Sequence, residues 1–434
     1  MLAEIAQAGF LITAEPQLAD VVVINTCAFI APAKTEALEE INRAVDYKLN
    51  GTVKKVIVAG CLPERWGPDL LSYAEGIDAI VGLDQRNNVV SIIKRTIRSD
   101  QPAVFMDKSL YPIGGRAPKR RKGHPNALDD RTRLLITGPH WAYLRISEGC
   151  DRTCSFCTIP AIRGRFRSKP EKIILAEAAE LASAGVVELN IIAQDSTYYG
   201  RDLKIKDGLA GLAEKLENIA GLAWIRFMYL YPAAVTNRLI ETISASEKIV
   251  HYFDIPIQHI NNEILKRMRR TGNKNRIYRL IDKLRHACPD CLLRTTVMVG
   301  FPDETDRQFD ELLEFIKWAQ FDALGCFCFY PESGTSAAQM PDQIPEQIKQ
   351  QRLERLMLTQ QKIAFEKNKK RIGTILTCLV DSVDDEGSGQ ARFYGQAPDA
   401  DSFCIMKNCS SKPGCFINTR VVDTKDYDLL VEQI

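Results

Sequence analysis

The chain has 434 residues, 45% hydrophobic and 26% charged, and its 57 lysines and arginines against 55 aspartates and glutamates leave a net charge of +2. That balance fits a soluble enzyme of roughly two to three domains and excludes a molecule that traps nucleic acid by overall charge. Thirteen cysteines, an odd number, do not read as a secreted disulfide framework, no apolar run approaches the ~20 residues of a membrane helix, and Met1 to Phe10 lacks a signal core, so a cytoplasmic chain with reduced thiols and no membrane contact is expected.

In chain order, an apolar strand at Val21 to Asn25, a helix near Ala33 to Lys48, and strands at Lys55 to Ala59 and Ile77 to Val81 predict a small Rossmann-like α/β layer over residues 1–113. A Gly, Pro and Arg-rich linker follows over 114–136, with the basic run Lys119 to Lys122. Over 137–370 six strands alternate with helices: Ala142 to Ile146, Glu188 to Ala193, Trp224 to Leu230, Tyr252 to Ile257, Leu292 to Val299 and Ala323 to Tyr330. Such alternation predicts parallel strands with right-handed crossovers, an incomplete (β/α) barrel. A lysine-rich helix at Glu346 to Lys370 leads into 371–434, where five short strands between Gly, Asp and Ser turns predict a small closed antiparallel β-barrel.

The chemistry is concentrated in cysteines. Cys150, Cys154 and Cys157 lie in a C-x3-C-x2-C spacing just after a strand. Three soft thiolates at that interval wrap one metal centre and leave a position open, which suits a cubane iron–sulfur cluster better than a four-ligand structural zinc; zinc and buried thiols are the alternatives. Cys27 ends the strand of Val-Ile-Asn-Thr-Cys and Cys61 ends that of Val-Ala-Gly-Cys, both at carboxyl ends of strands, where α/β sheets bind ligands. A single cysteine there is usually a small buried apolar residue, and two in equivalent places point to a shared ligand.

The C-x3-C-x2-C loop, with Phe156 before its last cysteine, resembles the cluster loop of radical S-adenosylmethionine (SAM) enzymes. Together with Asn-Thr-Cys, Gly-Cys and the terminal barrel, it makes the whole chain similar to the methylthiotransferase family. That resemblance implies a SAM-binding 4Fe-4S cluster on Cys150, Cys154 and Cys157, a second, auxiliary 4Fe-4S cluster on N-terminal cysteines including Cys27 and Cys61, and SAM as methyl donor and radical source. It implies loosely that Phe156, Gln194, Asp195, Gln258 and Gly300 contact SAM, the last four at strand ends. The terminal barrel resembles a TRAM domain. The family supplies three N-terminal cysteines and an opening strand; here the strand and its cysteine are absent. Because an internal strand missing from a parallel sheet would leave unpaired backbone groups and an apolar groove that a native fold rarely tolerates, a misplaced start or a truncation is expected, with the auxiliary ligand set incomplete if the start is genuine.

Two branches of the family differ in substrate. In 373–434 five basic residues stand against ten acidic ones, about −5, which repels a phosphate backbone and favours a basic protein. Ala-Gln-Asp-Ser-Thr-Tyr-Tyr-Gly-Arg-Asp (Ala193 to Asp202) is likewise similar to the branch that modifies an aspartate β-carbon in small-subunit ribosomal protein S-twelve, free or in the subunit, with an electron donor such as flavodoxin or ferredoxin and nucleic acid met only through the ribosome. The alternatives are a transfer RNA adenosine methylthiotransferase and a ribosome-associated binding protein that has lost sulfur insertion.

Overall fold

The computed structural model describes residues 1–107, 129–131 and 133–434, so the basic run Lys119 to Lys122 and most of the expected linker lie outside the described residues. The chain forms two compact units, each assembled from separated segments. The first gathers Met1–Leu134, Glu148–Arg167 and Tyr330–Gln339, and the second Leu135–Ser147, Ser168–Phe329 and Met340–Ile434.

The first unit is built on a parallel sheet in the order β1 (Val21–Thr26), β2 (Lys55–Gly60), β3 (Ala79–Val81), β4 (Ala103–Phe105). Helices α1 (Ala31–Leu49), α2 (Cys61–Trp66) and α3 (Val89–Ile97) are among those that accompany it. Strands covered on both faces read as continuous apolar runs. On one face Val56, Val58 and Ile80 pack with Ile41 and Val45 of α1; on the other Ile57, Ala59 and Val81 pack with Val89, Ile92 and Ile93 of α3. Among the described residues β1 is an edge strand and pairs with β2 along all its length, from Val21 opposite Lys55 to Thr26 opposite Gly60.

The second unit carries β5 (Trp141–Arg145), β6 (Glu188–Ile192), β7 (Trp224–Phe227), β8 (Tyr252–Asp254), β9 (Leu292–Val299) and β10 (Ala323–Cys328). They form two three-stranded parallel sheets, β5-β6-β7 and β8-β9-β10, and Ile225 of β7 bridges to Ile249 just ahead of β8. This is the incomplete parallel barrel. Its helices include α4 (Glu171–Ser183), α5 (Gly208–Glu217), α6 (Asn237–Ser244), α7 (Lys274–Ala287) and α8 (Asp306–Ala319). α7 buries Ile277, Leu280, Ile281 and Leu284, a single stripe, and starts where Asn273 accepts from the Arg276 amide. α8 starts in a capping box between Thr305 and Gln308.

Helix α9 (Glu346–Lys369) leads into a closed barrel of β11 (Ile375–Val383), β12 (Gly389–Phe393), β13 (Cys404–Met406), β14 (Phe416–Lys425) and β15 (Asp428–Gln433). One of its pairings departs from the antiparallel expectation. β14 pairs with β11 to close the barrel, so β15, antiparallel to β14, returns parallel to β13. The small barrel shares a core with the large one: Cys378, Ala391, Cys404 and Leu429 belong to the same apolar cluster as Trp224, Tyr252 and Leu292.

A buried ion network joins them as well. Glu188 of β6 accepts from Arg226 at 3.1 Å and from Arg392 of β12 at 2.7 Å, all three fully buried. Arg392 also forks onto Asp381, at 2.7 and 2.8 Å, and His140 lies 2.9 Å from the same carboxylate. Two guanidiniums facing two carboxylates balance their charge, without which such burial would be prohibitive.

Candidate active site

The thiol loop begins at Gly149, whose φ of +77° favours glycine and whose position allows no side chain: a Cβ there would lie 2.3 Å from the Arg165 carbonyl oxygen. The Cys150 amide donates to the Gly164 carbonyl at 3.2 Å, and the Cys157 amide to the Cys154 carbonyl at 3.2 Å. The loop is therefore tied at its start and turned tightly at its end. Cys150 is buried, while Cys154, Phe156 and Cys157 are half-buried. The segment after the last barrel strand supports it, with the Ala337 amide donating to the Ser155 carbonyl at 2.9 Å.

Cys27 and Cys61 belong to the same unit. Thr26, beside Cys27, donates its hydroxyl to the Ala59 carbonyl at 2.7 Å and accepts from the Leu62 amide at 3.2 Å, linking the two strand ends. Gly60, at φ +98°, faces the Thr26 carbonyl so closely that a Cβ would lie 2.5 Å from it. The residues around both cysteines thus serve close approach. Cys27 is exposed and Cys61 buried.

Arg163 stands in the return of the thiol loop, beside the N-terminal cysteines of the same unit. Its guanidinium donates to Cys61 Sγ at 3.2 Å and to Glu148 Oε1 at 3.3 Å. Burial pushes the Cys61 thiol up and Arg163 opposes it; burial pulls Arg163 down, and Glu148 and Cys61 outweigh that. A second clamp is Glu332, 3% exposed, which accepts from Lys34 of α1 at 2.8 Å and Arg65 of α2 at 2.7 Å. It holds the helices that follow Cys27 and Cys61. Nothing in the sequence around Arg163 or Glu332 marks these roles, because both partners are remote in the chain.

In the second unit the predicted SAM contacts lie after the strands. Gln194 follows β6 and Gln258 follows β8; the amide oxygen of each is buried without a hydrogen-bond partner, an acceptor aimed at no protein donor. Gln258 also holds φ +70°, a conformation that a residue other than glycine seldom keeps. Asp195 is buried and accepts from the Thr197 hydroxyl. Gly300, φ +71°, makes room for a neighbouring side chain, since a Cβ would sit 2.3 Å from Lys349 Cγ. His259 is structural: its Nδ1 accepts from the Asn261 amide at 3.0 Å, which leaves Nε2 to donate to Glu304 at 3.0 Å. Tyr229, φ +59°, shares this rim and was not foreseen; its carbonyl accepts from the Ser196 amide.

The profile of the Radical SAM superfamily matches residues 144–316, that of Uncharacterized protein family UPF0004 residues 1–82, and that of the TRAM domain residues 372–434. Two similar proteins, from Pelotomaculum thermopropionicum and Geobacter sulfurreducens, are each called ribosomal protein uS12 methylthiotransferase RimO. Each is 40% identical to this chain over its whole length, covering 95% and 94% of theirs. The chain belongs to the RimO family.

The solved radical SAM methyltransferase TsrM from Kitasatospora setae is similar in fold, with a TM-score of 0.50 at 13% identity, over 83% of this chain and 66% of that one. As a RimO family member the chain is a radical SAM methylthiotransferase, and 4Fe-4S clusters and SAM are its cofactors. Among the described residues no three His, Cys, Asp or Glu side chains are already gathered as a metal ion would hold them. The donor chemistry nonetheless fits a SAM-binding cluster: three soft thiols on one short, backbone-tied loop. For an auxiliary cluster the described residues offer Cys27 and Cys61, a partial set.

Proposed function

We propose that this RimO family member inserts a methylthio group at the β-carbon of an aspartate in ribosomal protein uS12, on the free protein or in the small subunit. The reading is carried by one observation: the radical-type loop and the N-terminal cysteines fold into one compact unit, where Arg163 of the loop's return reaches the sulfur of Cys61. Chemistry on an unactivated C–H bond has no side chain of suitable pKa to serve it.

Cys150, Cys154 and Cys157 would hold the SAM-binding cluster, with Phe156 beside them, and Cys27 and Cys61 contribute to the auxiliary one. When bound, cluster and SAM supply a carbon radical that abstracts hydrogen and a methyl group for transfer. The chain's own part is orientation and exclusion of water. Gln194 and Gln258 offer their unmet amide oxygens to SAM hydroxyl or amino groups, Asp195 lies on the same rim, and Gly300, with Lys349 packed over it, shapes the wall. Electrons come from a small carrier such as flavodoxin or ferredoxin.

The choice of a basic protein over RNA rests on the small barrel. Arg392 is buried in its ion network and offers no charge outside, whereas Asp384, Asp385, Glu386, Asp399, Asp423, Asp426 and Glu432 are exposed, against Lys407, Lys412, Arg420 and Lys425. Mass spectrometry after anaerobic reconstitution with iron, sulfide, SAM and reductant, offering uS12 and unmodified transfer RNA with 5′-deoxyadenosine measured in the same tube, tests this. A methylthio adduct on the uS12 aspartate alone is expected, and alanine at Cys150, Cys154 or Cys157 abolishes 5′-deoxyadenosine. An adduct on RNA alone refutes the reading; 5′-deoxyadenosine without any adduct leaves radical formation and removes sulfur insertion.

A further inference from the structure

At the end of the strands away from Gln258 and Gly300, the first residues of β8, β9 and β10 face an open cavity of about 560 Å3, with α9 and the small barrel as its other walls. Four carboxylates line it, Asp322, Asp401, Asp426 and Asp428, against two guanidiniums, Arg294 and Arg371. Both guanidiniums are already engaged within the fold. Arg294 reaches Asp254 at 3.0 Å and Asp401 at 3.4 Å, while Arg371 at 3.3 Å and Lys367 at 2.6 Å both reach Asp322, which leaves Asp426 and Asp428 without a cation among the described residues. The surplus is negative.

Gln360 of α9 adds an independent sign. It is 2% exposed and lines the cavity; its amide nitrogen donates to the Phe321 carbonyl at 2.8 Å, so its amide oxygen is fixed as the unused end, buried and without a partner. A buried acceptor in that state calls for a donor. Met357, Phe393 and Tyr427 supply an apolar wall.

We propose that this cavity is a docking site for a lysine or arginine side chain of a basic protein partner. The aliphatic stem lies along the apolar wall and the charged head brings N–H donors to Gln360 and the carboxylates. An anion would meet guanidiniums already paired and a carboxylate majority. The identity of the partner as uS12 rests on the function proposed above. β9 is eight residues long, a span of about 26 Å at strand rise. A partner that fills the cavity while presenting a residue at the strand ends must therefore reach about 26 Å or more, further than a peptide of a few residues can.

Asp426→Asn is the informative variant, because Asp426 turns β14 into β15 at φ +53°, which asparagine also tolerates. Gln360→Met removes the acceptor at similar size. KM and kcat are measured for whole uS12 and for a short peptide around the modified aspartate, and binding of Nα-acetyl-arginine amide is followed by NMR. The expected result is a KM for whole uS12 raised about threefold to tenfold in the double variant, with kcat and the peptide's KM unchanged and the arginine probe lost. An unchanged KM for whole uS12 in a folded double variant overturns the site, as does equal binding of Nα-acetyl-norleucine amide. If uS12 is no substrate but the arginine probe binds wild type and not the variants, the site stands and the substrate assignment falls.

Discussion

Arg163 shows how much one side chain can carry where two segments meet. It is a forked donor with one prong on Cys61 and the other on Glu148, a geometry lysine cannot reproduce. Hydrogen bonds to a metal-ligating sulfur orient it and tune the centre, and their loss typically costs about 10-fold to 100-fold. Arg163→Met is expected to lower methylthio product per 5′-deoxyadenosine by about 10-fold or more, with Arg163→Lys intermediate. Measuring both products in one assay checks it; an unchanged ratio would leave Arg163 a structural tie only. The spacing of Cys150, Cys154 and Cys157 offered a metal centre in the sequence, and Cys27 and Cys61 were offered by their places at strand ends. The supports Gly149, Gly60 and Glu332 were not, since each acts on backbone or side chains brought near only by folding.

Among elements, the junction of the two barrels is held by apolar packing and by the chain of His140, Asp381, Arg392 and Glu188. Burial pushes the Asp381 carboxyl up, but hydrogen bonds from His140 and Arg392 outweigh it, so its pKa lies below the usual value. A carboxyl depressed in the folded state stabilises above its unfolded pKa of about 3.9 and loses that contribution as pH falls through the folded value. Amide-exchange protection of β11 and β12 is expected to hold down to about pH 4 and to fall below it. Asp381→Asn should abolish that acid step and, at neutral pH, cost on the order of 3 kcal/mol in urea unfolding; wild-type acid behaviour in the variant would contradict this account. Most strands were legible because parallel strands covered on both faces read as apolar runs, but the three residues of β4 were too few to stand out. α3 and α6, of 9 and 8 residues, were not legible either, for so few turns establish no helical period. The parallel pairing of β13 with β15 was hidden too, because strand direction is decided by closure and not by composition.

For the whole molecule, the net charge near zero conceals a division of labour, with an acidic outer face on the small barrel. Attraction of a basic protein to such a face is screened by salt over a Debye length of roughly 10 Å at 0.1 M. The KM for uS12 is therefore expected to rise several-fold between about 50 and 200 mM salt, with kcat little changed. Steady-state kinetics across that range checks it, and a flat profile would remove the acidic face from substrate capture.

The first compact unit is completed by residues 330–339, which meet the thiol loop of 148–167 through Ser155 and Ala337. During synthesis these pieces appear far apart in time. At about 5–20 residues per second, on the order of ten to thirty seconds separate them. Through that interval the thiol loop has left the ribosome without the Ala337 amide that meets its Ser155 carbonyl. That support arrives late in translation, so the loop takes its final form only in the nearly finished chain.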